Sequence, residues 1–150
     1  MRVVALDLGT RRIGVAVSDA GGIMATPYTV IERSGDAGAD RAKVAEIVAE
    51  VGAGLVLVGL PLSMDGRIGP AARAALEEAE ALRRALEVPV ETHDERLTSV
   101  TADRSLTEAG VTGRRRRRAR KEGAVDQAAA TVLLQSWLDS RPGGPRRGDG

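Results

Sequence analysis

Cysteine is absent from these 150 residues, and histidine occurs once, as His93. The first absence removes disulfides, thiolate nucleophiles and cysteine-ligated zinc together, and the second rules out a histidine-rich metal site. Any metal must therefore sit on oxygen ligands, which is the preference of Mg²⁺ or Mn²⁺. Phe is also absent, and Trp137 and Tyr28 are the only aromatics. The core must be built from Val, Leu, Ile and Ala, and the base-stacking platform of a single-strand binder has no material. No apolar run approaches the roughly 20 residues that span a bilayer. The N-terminus lacks a charged-then-apolar signal segment. A cytoplasmic protein with no membrane partner is expected.

What remains is enough for one globular domain that buries about two-thirds of its unfolded surface. The net charge of +1 hides an asymmetry. Between Arg114 and Lys121, seven of eight residues are basic (Arg114, Arg115, Arg116, Arg117, Arg118, Arg120 and Lys121), leaving 15 basic against 21 acidic residues elsewhere. A mildly acidic body thus carries one strongly positive segment. Charges so crowded repel one another severely, and a polyanion is the natural partner, so phosphate contact is expected there, along a segment that is mobile when unbound.

Along the chain, apolar runs predict strands at Val3–Asp7, Ile13–Ser18 and, shorter, Thr26–Ile31. A polar linker (Arg33–Ala39) precedes a helix from about Asp40 to Val51, with Val44, Ile47, Val48 and Val51 at helical spacing and Gly52 and Gly54 stopping it. Leu55–Val58 reads as a strand buried on both faces, and Gly59-Leu60-Pro61-Leu62 as the opening of a loop closed by Asp65-Gly66. A helix over Pro70–Leu86, a strand over Val88–Thr92 and a helix from Thr98 to about Ala109 follow. The final helix spans roughly Ala124 to Asp139, with Ala128, Ala129, Val132, Leu133 and Trp137 on its apolar face. Residues 1–140 form the domain, and 141–150 read as a disordered basic tail. A meander followed by strand–helix alternation makes an α/β fold, a five-stranded mixed sheet with helices on both faces.

Within that frame, three acids stand at element ends that can converge. Asp7 closes the first strand, beside Gly9, Thr10, Arg11 and Arg12; Glu95 follows the fifth strand; Asp126 lies in the first turn of the last helix. Ligands of α/β sheets gather beyond the C-terminal ends of parallel strands. Three carboxylates crowded there repel unless a cation neutralises them, which suits Mg²⁺ or Mn²⁺ and in-line phosphodiester hydrolysis. Bland readings stand beside each acid. Asp7 can be a turn former, Glu95 can simply pair with Arg96, and Asp126 can merely favour a helix N-terminus. Asp94 competes with Glu95 for the ligand role. Asp19 and Asp65 read as turn residues, and His93 as a structural or rim residue rather than a general base.

Four blocks then carry a resemblance: Leu6-Asp7-Leu8-Gly9-Thr10-Arg11-Arg12-Ile13-Gly14-Val15-Ala16; Val58-Gly59-Leu60-Pro61 with Met64-Asp65-Gly66; Asp94-Glu95-Arg96-Leu97-Thr98; and Asp126-Gln127-Ala128-Ala129. In this order and spacing the chain resembles the YqgF/RuvX family. That RNase H-like group carries the names of Holliday junction resolvases and pre-16S rRNA nucleases. The resemblance implies a retroviral-integrase-type sheet of order 3-2-1-4-5 with catalytic, metal-holding acids at Asp7, Glu95 and Asp126. Two cations on these acids would activate a water and stabilise the leaving 3′-oxygen, with Thr10, Arg11 and Arg96 on adjacent phosphates and Arg12 beside them. The Arg114–Arg118 run is more basic than the family pattern requires, so steep salt dependence is expected.

Two other classes compete. Actin-like ATPases and sugar kinases share the Asp-x-Gly-Thr turn but need a second domain, which 150 residues do not supply. A non-catalytic nucleic-acid scaffold gains nothing from carboxylates facing phosphate. Between structured RNA and branched DNA as substrate the residues do not decide. The family names incline the reading to the 5′ end of pre-16S rRNA, with a resolvase acting in recombination and repair as the alternative. Monomer and homodimer both stay open.

Overall fold

In the computed structural model, residues 1–97 and 124–141 are described, with the backbone alone at Leu97 and Ala124–Asp126. The elements are β1 (Arg2–Leu8), β2 (Arg12–Ser18), β3 (Ala25–Glu32), α1 (Ala37–Val51), β4 (Ala53–Leu60), α2 (Pro70–Ala85), β5 (Val90–Asp94), a 3₁₀ turn (Glu95–Leu97) and α3 (Ala124–Ser140). The expected helix over Thr98–Ala109, the arginine tract and residues 142–150 lie outside the described residues.

The five strands make one sheet of order β3-β2-β1-β4-β5. β1, β2 and β3 pair antiparallel as a meander, whereas β1–β4 and β4–β5 are parallel, as the helical crossovers require. This is the RNase H-like arrangement that the resemblance implied. The central strands β1 and β4 read as nearly unbroken apolar runs because both of their faces are covered. On one face Val4, Leu6, Val56 and Val58 pack against Val44, Ile47 and Val48 of α1 and Ala75, Ala79 and Leu82 of α2. On the other, Val3, Ala5, Leu55 and Leu57 meet Ala130, Leu133, Leu134 and Leu138 of α3. From Val3 and Leu55 onward strand alternation sends successive residues of β1 and β4 to one helix layer or the other, whereas Ala53, before the register shift between Arg2 and Val3, packs on the α1/α2 side.

Several boundaries differ from the sequence expectation for identifiable reasons. α1 begins at Ala37 rather than Asp40 because the Asp36 carboxylate caps it, accepting from the Ala39 amide, and it stops at Gly52, whose φ of 69° is left-handed. Gly54 stops nothing. It lies within β4, where the Met1 side chain occupies the place its own would fill. β4 continues through Gly59 and Leu60, which pair with His93 and Asp94, so these two are strand rather than loop. β5 starts two residues late because Pro89 has no amide to donate, although its carbonyl still accepts from Val56. The buried stripe of α3 is Ala130, Leu133, Leu134 and Leu138, one position out of phase with the expected Ala128, Ala129, Val132, Leu133 and Trp137. A helix this rich in Ala and Leu offers several apolar faces, and packing selects among them.

α3 also has a fixed direction. The Gln135 amide side chain accepts from the Ala25 amide and donates to the Ile23 carbonyl, both at 2.9 Å, at the end of the sheet where β3 begins. That is the level of Ser18, which pairs with Ala25 and whose hydroxyl accepts from the Val3 amide. Position 126 lies about 13.5 Å back along the helix from Gln135 at 1.5 Å per residue. Asp7 lies about 13 Å up β1 from Val3. The start of α3 therefore reaches the level of Asp7, one residue before the end of β1.

Leu134, fully buried between α3 and the sheet, gives a direct check on this layer. Leu134→Ala is expected to cost about 2–5 kcal/mol in urea-induced unfolding. A loss below about 1 kcal/mol would mean that α3 is not docked as described.

Candidate functional site

The C-terminal ends of β1, β4 and β5 meet at one rim, and glycine shapes its floor. Asp7 shares the α3 side of the sheet with Val3 and Ala5 and is half-buried. Its partner in β2 is Gly14. In β4 its level is Gly59, one residue beyond the Leu6–Val58 pair. The Asp7 carboxylate thus has no side chain beside it on either neighbouring strand.

Glu95 uses that space. A Cβ built on Gly59 would stand 2.3 Å from Oε2 of Glu95 and 3.1 Å from its Cδ and Cγ. The Glu95 carboxylate therefore lies across the Gly59 backbone, on the α3 side, turned from β5 toward β1. Gly59 also lies outside the left-handed region, so its strand geometry would accept a Cβ, and among the described residues the nearest atoms such a Cβ would meet are those of the Glu95 side chain, which would have to shift. The structure thus brings Asp7 and Glu95 to the same face of the same rim, and the first turn of α3 to the same level. Position 126 is one helical turn ahead of Ala130 on the sheet-facing stripe; the Asp126 side chain lies outside what is described. Among the described residues no three acidic or histidine side chains form a metal-sized group. Asp7 and Glu95 supply two, and the third is a matter of position 126. This all-oxygen set of acceptors fits a hard divalent cation.

Asp94 lies on the opposite face. It follows Val90 and Thr92 by strand alternation on the α1/α2 side, and its carboxylate is taken up by Arg96. Arg96 donates through Nε and Nη2 to Asp94, with the shortest contact 2.7 Å, and through Nη1 to the Met64 carbonyl at 3.3 Å. The guanidinium hydrogen bonds hold the Asp94 carboxyl below the usual carboxylate range. Arg96, expected on a substrate phosphate, is thus already bound to the protein's own carboxylate and carbonyl.

Thr10 and Arg11 are exposed on the β1–β2 turn and line a surface cavity with Glu32, Arg33 and Asp40 near the start of α1. Arg12 is half-buried, with its Nε 3.0 Å from Glu32 Oε2 across β2 and β3, so part of its charge is spent internally. His93 is on the α3 side of β5 with Nε2 3.4 Å from the Ser136 hydroxyl, and burial pushes its pKa down. It bridges strand to helix, as a structural residue. Asp19 and Asp65 are turn residues: Asp19 accepts from the amides of Ile23 and Met24, and Asp65 from the Ser63 hydroxyl and the Arg67 amide. Arg114, Arg115, Arg116, Arg117, Arg118, Arg120 and Lys121 lie outside the described residues. Sequence reasoning missed Gly59 as a site residue. A glycine inside an apolar strand pattern signals close approach of another group, and that signal was present once Gly59 is read as strand.

The family model described as "RuvX: Holliday junction resolvase" matches residues 1–140. This chain belongs to the RuvX family. Relatives named "Putative pre-16S rRNA nuclease" include one from Mycobacterium sp. (strain KMS), 45% identical over 93% of this chain and 80% of its own length. Another, from Myxococcus xanthus (strain DK1622), is 46% identical over 93% and 89% respectively. Both names, resolvase and rRNA nuclease, are those of enzymes that hydrolyse phosphodiester bonds in nucleic acid. Among solved structures, Thermus thermophilus RuvC in complex with a Holliday junction substrate superposes with a TM-score of 0.56 over 91% of each chain, at 15% identity, a likeness of fold. Among the described residues no helix is long and apolar enough to cross a membrane.

Gly59→Ala separates the site from the fold. The methyl group must displace the Glu95 carboxylate while the strand keeps its conformation. Nuclease activity is expected to fall by about 10-fold or more, with the thermal midpoint within about 4 °C of wild type. Full activity in this variant would show that Glu95 does not need to lie over β4.

Proposed function

We propose that the chain is a divalent-metal-dependent nuclease that cleaves structured nucleic acid at the rim where β1, β4 and β5 end, and that its substrate is the 5′ end of precursor 16S rRNA. The observation that carries this reading is the Glu95 carboxylate turned over Gly59 onto the face of Asp7. Carboxylates on this face of the rim repel a bare phosphate, and a cation held by them removes that conflict; Asp7, Glu95 and Asp126 are the residues to hold Mg²⁺ or Mn²⁺. Such an ion supplies Lewis-acid stabilisation of the charge that builds on the phosphate oxygens.

The protein's own groups set the rest. β1 and β4 are buried on both faces, so Asp7 cannot retreat from the rim. Gly14, opposite Asp7 in β2, adds no side chain of its own there. Thr10 and Arg11 can donate to phosphates on the β2 side, and the tract from Arg114 to Lys121 adds sequence-independent attraction to the polyanion.

The rRNA substrate is drawn from the names of the relatives. The description of the matching family favours a second reading, a resolvase of four-way DNA junctions. One preparation tests both. With Mn²⁺ present, wild-type protein is expected to cleave a precursor 16S rRNA 5′ fragment faster than a four-way DNA junction. Asp7→Asn is expected to cleave neither while binding both. Faster cutting of the junction would favour the resolvase. Cleavage by Asp7→Asn at the wild-type rate would place the active site elsewhere.

A further inference from the structure

We infer that Asp94 and Arg96 are positioning residues that aim Glu95, so that the sequence Asp94-Glu95-Arg96 works as one device with the loop after β4; the inference rests on Glu95 being a working carboxylate of the proposed site. Glu95 is the middle residue of a closed ring. The Arg96 amide donates to Asp94 Oδ1 at 2.9 Å, a side-chain turn that bends the chain immediately after β5. The Arg96 guanidinium then returns to the same carboxylate through Nε (3.0 and 3.2 Å) and Nη2 (2.7 Å). With residues 94 and 96 joined on one side of the chain, the side chain between them is directed away, and it is found over Gly59.

The ring is tied to a second element. Arg96 Nη1 donates to the Met64 carbonyl, and its guanidinium lies over Gly66, whose left-handed φ of 87° turns the loop beneath it. That loop is itself closed, by Gly66 amide to Ser63 carbonyl at 2.8 Å and Ser63 amide to Arg67 carbonyl at 3.1 Å. Through Met64 the clamp therefore holds β5's end against the connection that leaves β4, the strand whose Gly59 accommodates Glu95. Both ends of the Glu95–Gly59 contact are fixed by the same guanidinium. An arginine so engaged, with both edges of its fork and its amide used within the protein, acts through Glu95 rather than on substrate. Arginine's planar fork is what the geometry demands, since lysine cannot span the two Asp94 oxygens and a carbonyl together.

The test compares Arg96→Ala, Arg96→Lys, Asp94→Ala and Asp94→Asn with wild type. It measures kcat and KM on an RNA substrate, the salt slope of RNA binding without metal, and Mn²⁺ affinity by calorimetry without nucleic acid. Positioning predicts that each Ala variant lowers kcat and weakens Mn²⁺ binding by about 10-fold or more, with KM and the salt slope unchanged. Asp94→Asn, which keeps the Oδ1 acceptor for the Arg96 amide, should recover part of both losses, and the double Ala variant should be no worse than either single one. If instead Arg96→Ala raises KM and reduces the salt slope by about one at unchanged kcat, Arg96 is a phosphate contact and the inference is wrong. Wild-type Mn²⁺ affinity in both Ala variants would overturn it equally, even if the RNA were not the substrate. That readout separates failure of the clamp from failure of the proposed function.

Discussion

One missing side chain makes the rim possible. At Gly59 the central strand β4 presents bare backbone between β1 and β5, and the Glu95 carboxylate fills the position a Cβ would take. With any other residue there Glu95 would have to swing outward, and Asp7 would face a methyl group instead of an acid. On the β2 side the residue opposite Asp7 is likewise a glycine, Gly14. Two glycines thus flank Asp7 in the sheet, and the Glu95 carboxylate lies over one of them.

The surroundings make this rim rigid. β1 and β4 are held from both sides, by the Val, Ile and Ala packing of α1 and α2 and by the Ala and Leu stripe of α3. An acid near the end of such a strand is held in place by the packing beneath it, so Asp7 keeps its position on the α3 side of the rim. The Asp94–Arg96 pair keeps its own charges balanced on the opposite side of the chain. Charge at the rim is therefore segregated: a paired, internally satisfied set toward α1 and α2, and an acidic set toward α3.

Much of this was legible in the sequence. The apolar runs of β1, β2 and β4 and the helical spacing in α1 gave the layers, and Asp7 and Glu95 were identifiable as acids at strand ends. What failed had local causes. Gly59 and Leu60 looked like loop because glycine followed by Leu-Pro suggests a turn, whereas pairing with His93 and Asp94 keeps both in the sheet. The α3 face was misphased because Ala and Leu surround that helix, and only contact with Ala5, Leu55 and Leu57 selects Ala130, Leu133, Leu134 and Leu138. The internal partners of Arg96, Asp94 at close range and Met64 across a loop, were not legible because they become its neighbours only once β5 ends at Asp94. Asp94 and Glu95, adjacent and chemically alike, could be told apart only by the face of β5 that each one takes.

Crystals grown in saturating Mn²⁺ and measured for anomalous scattering test the central claim most directly. The account predicts a peak on the α3 side of the rim, within coordination distance of both the Asp7 and Glu95 carboxylates, that disappears in Gly59→Ala. A manganese bound by only one of these acids, or at no position above Gly59, would contradict it.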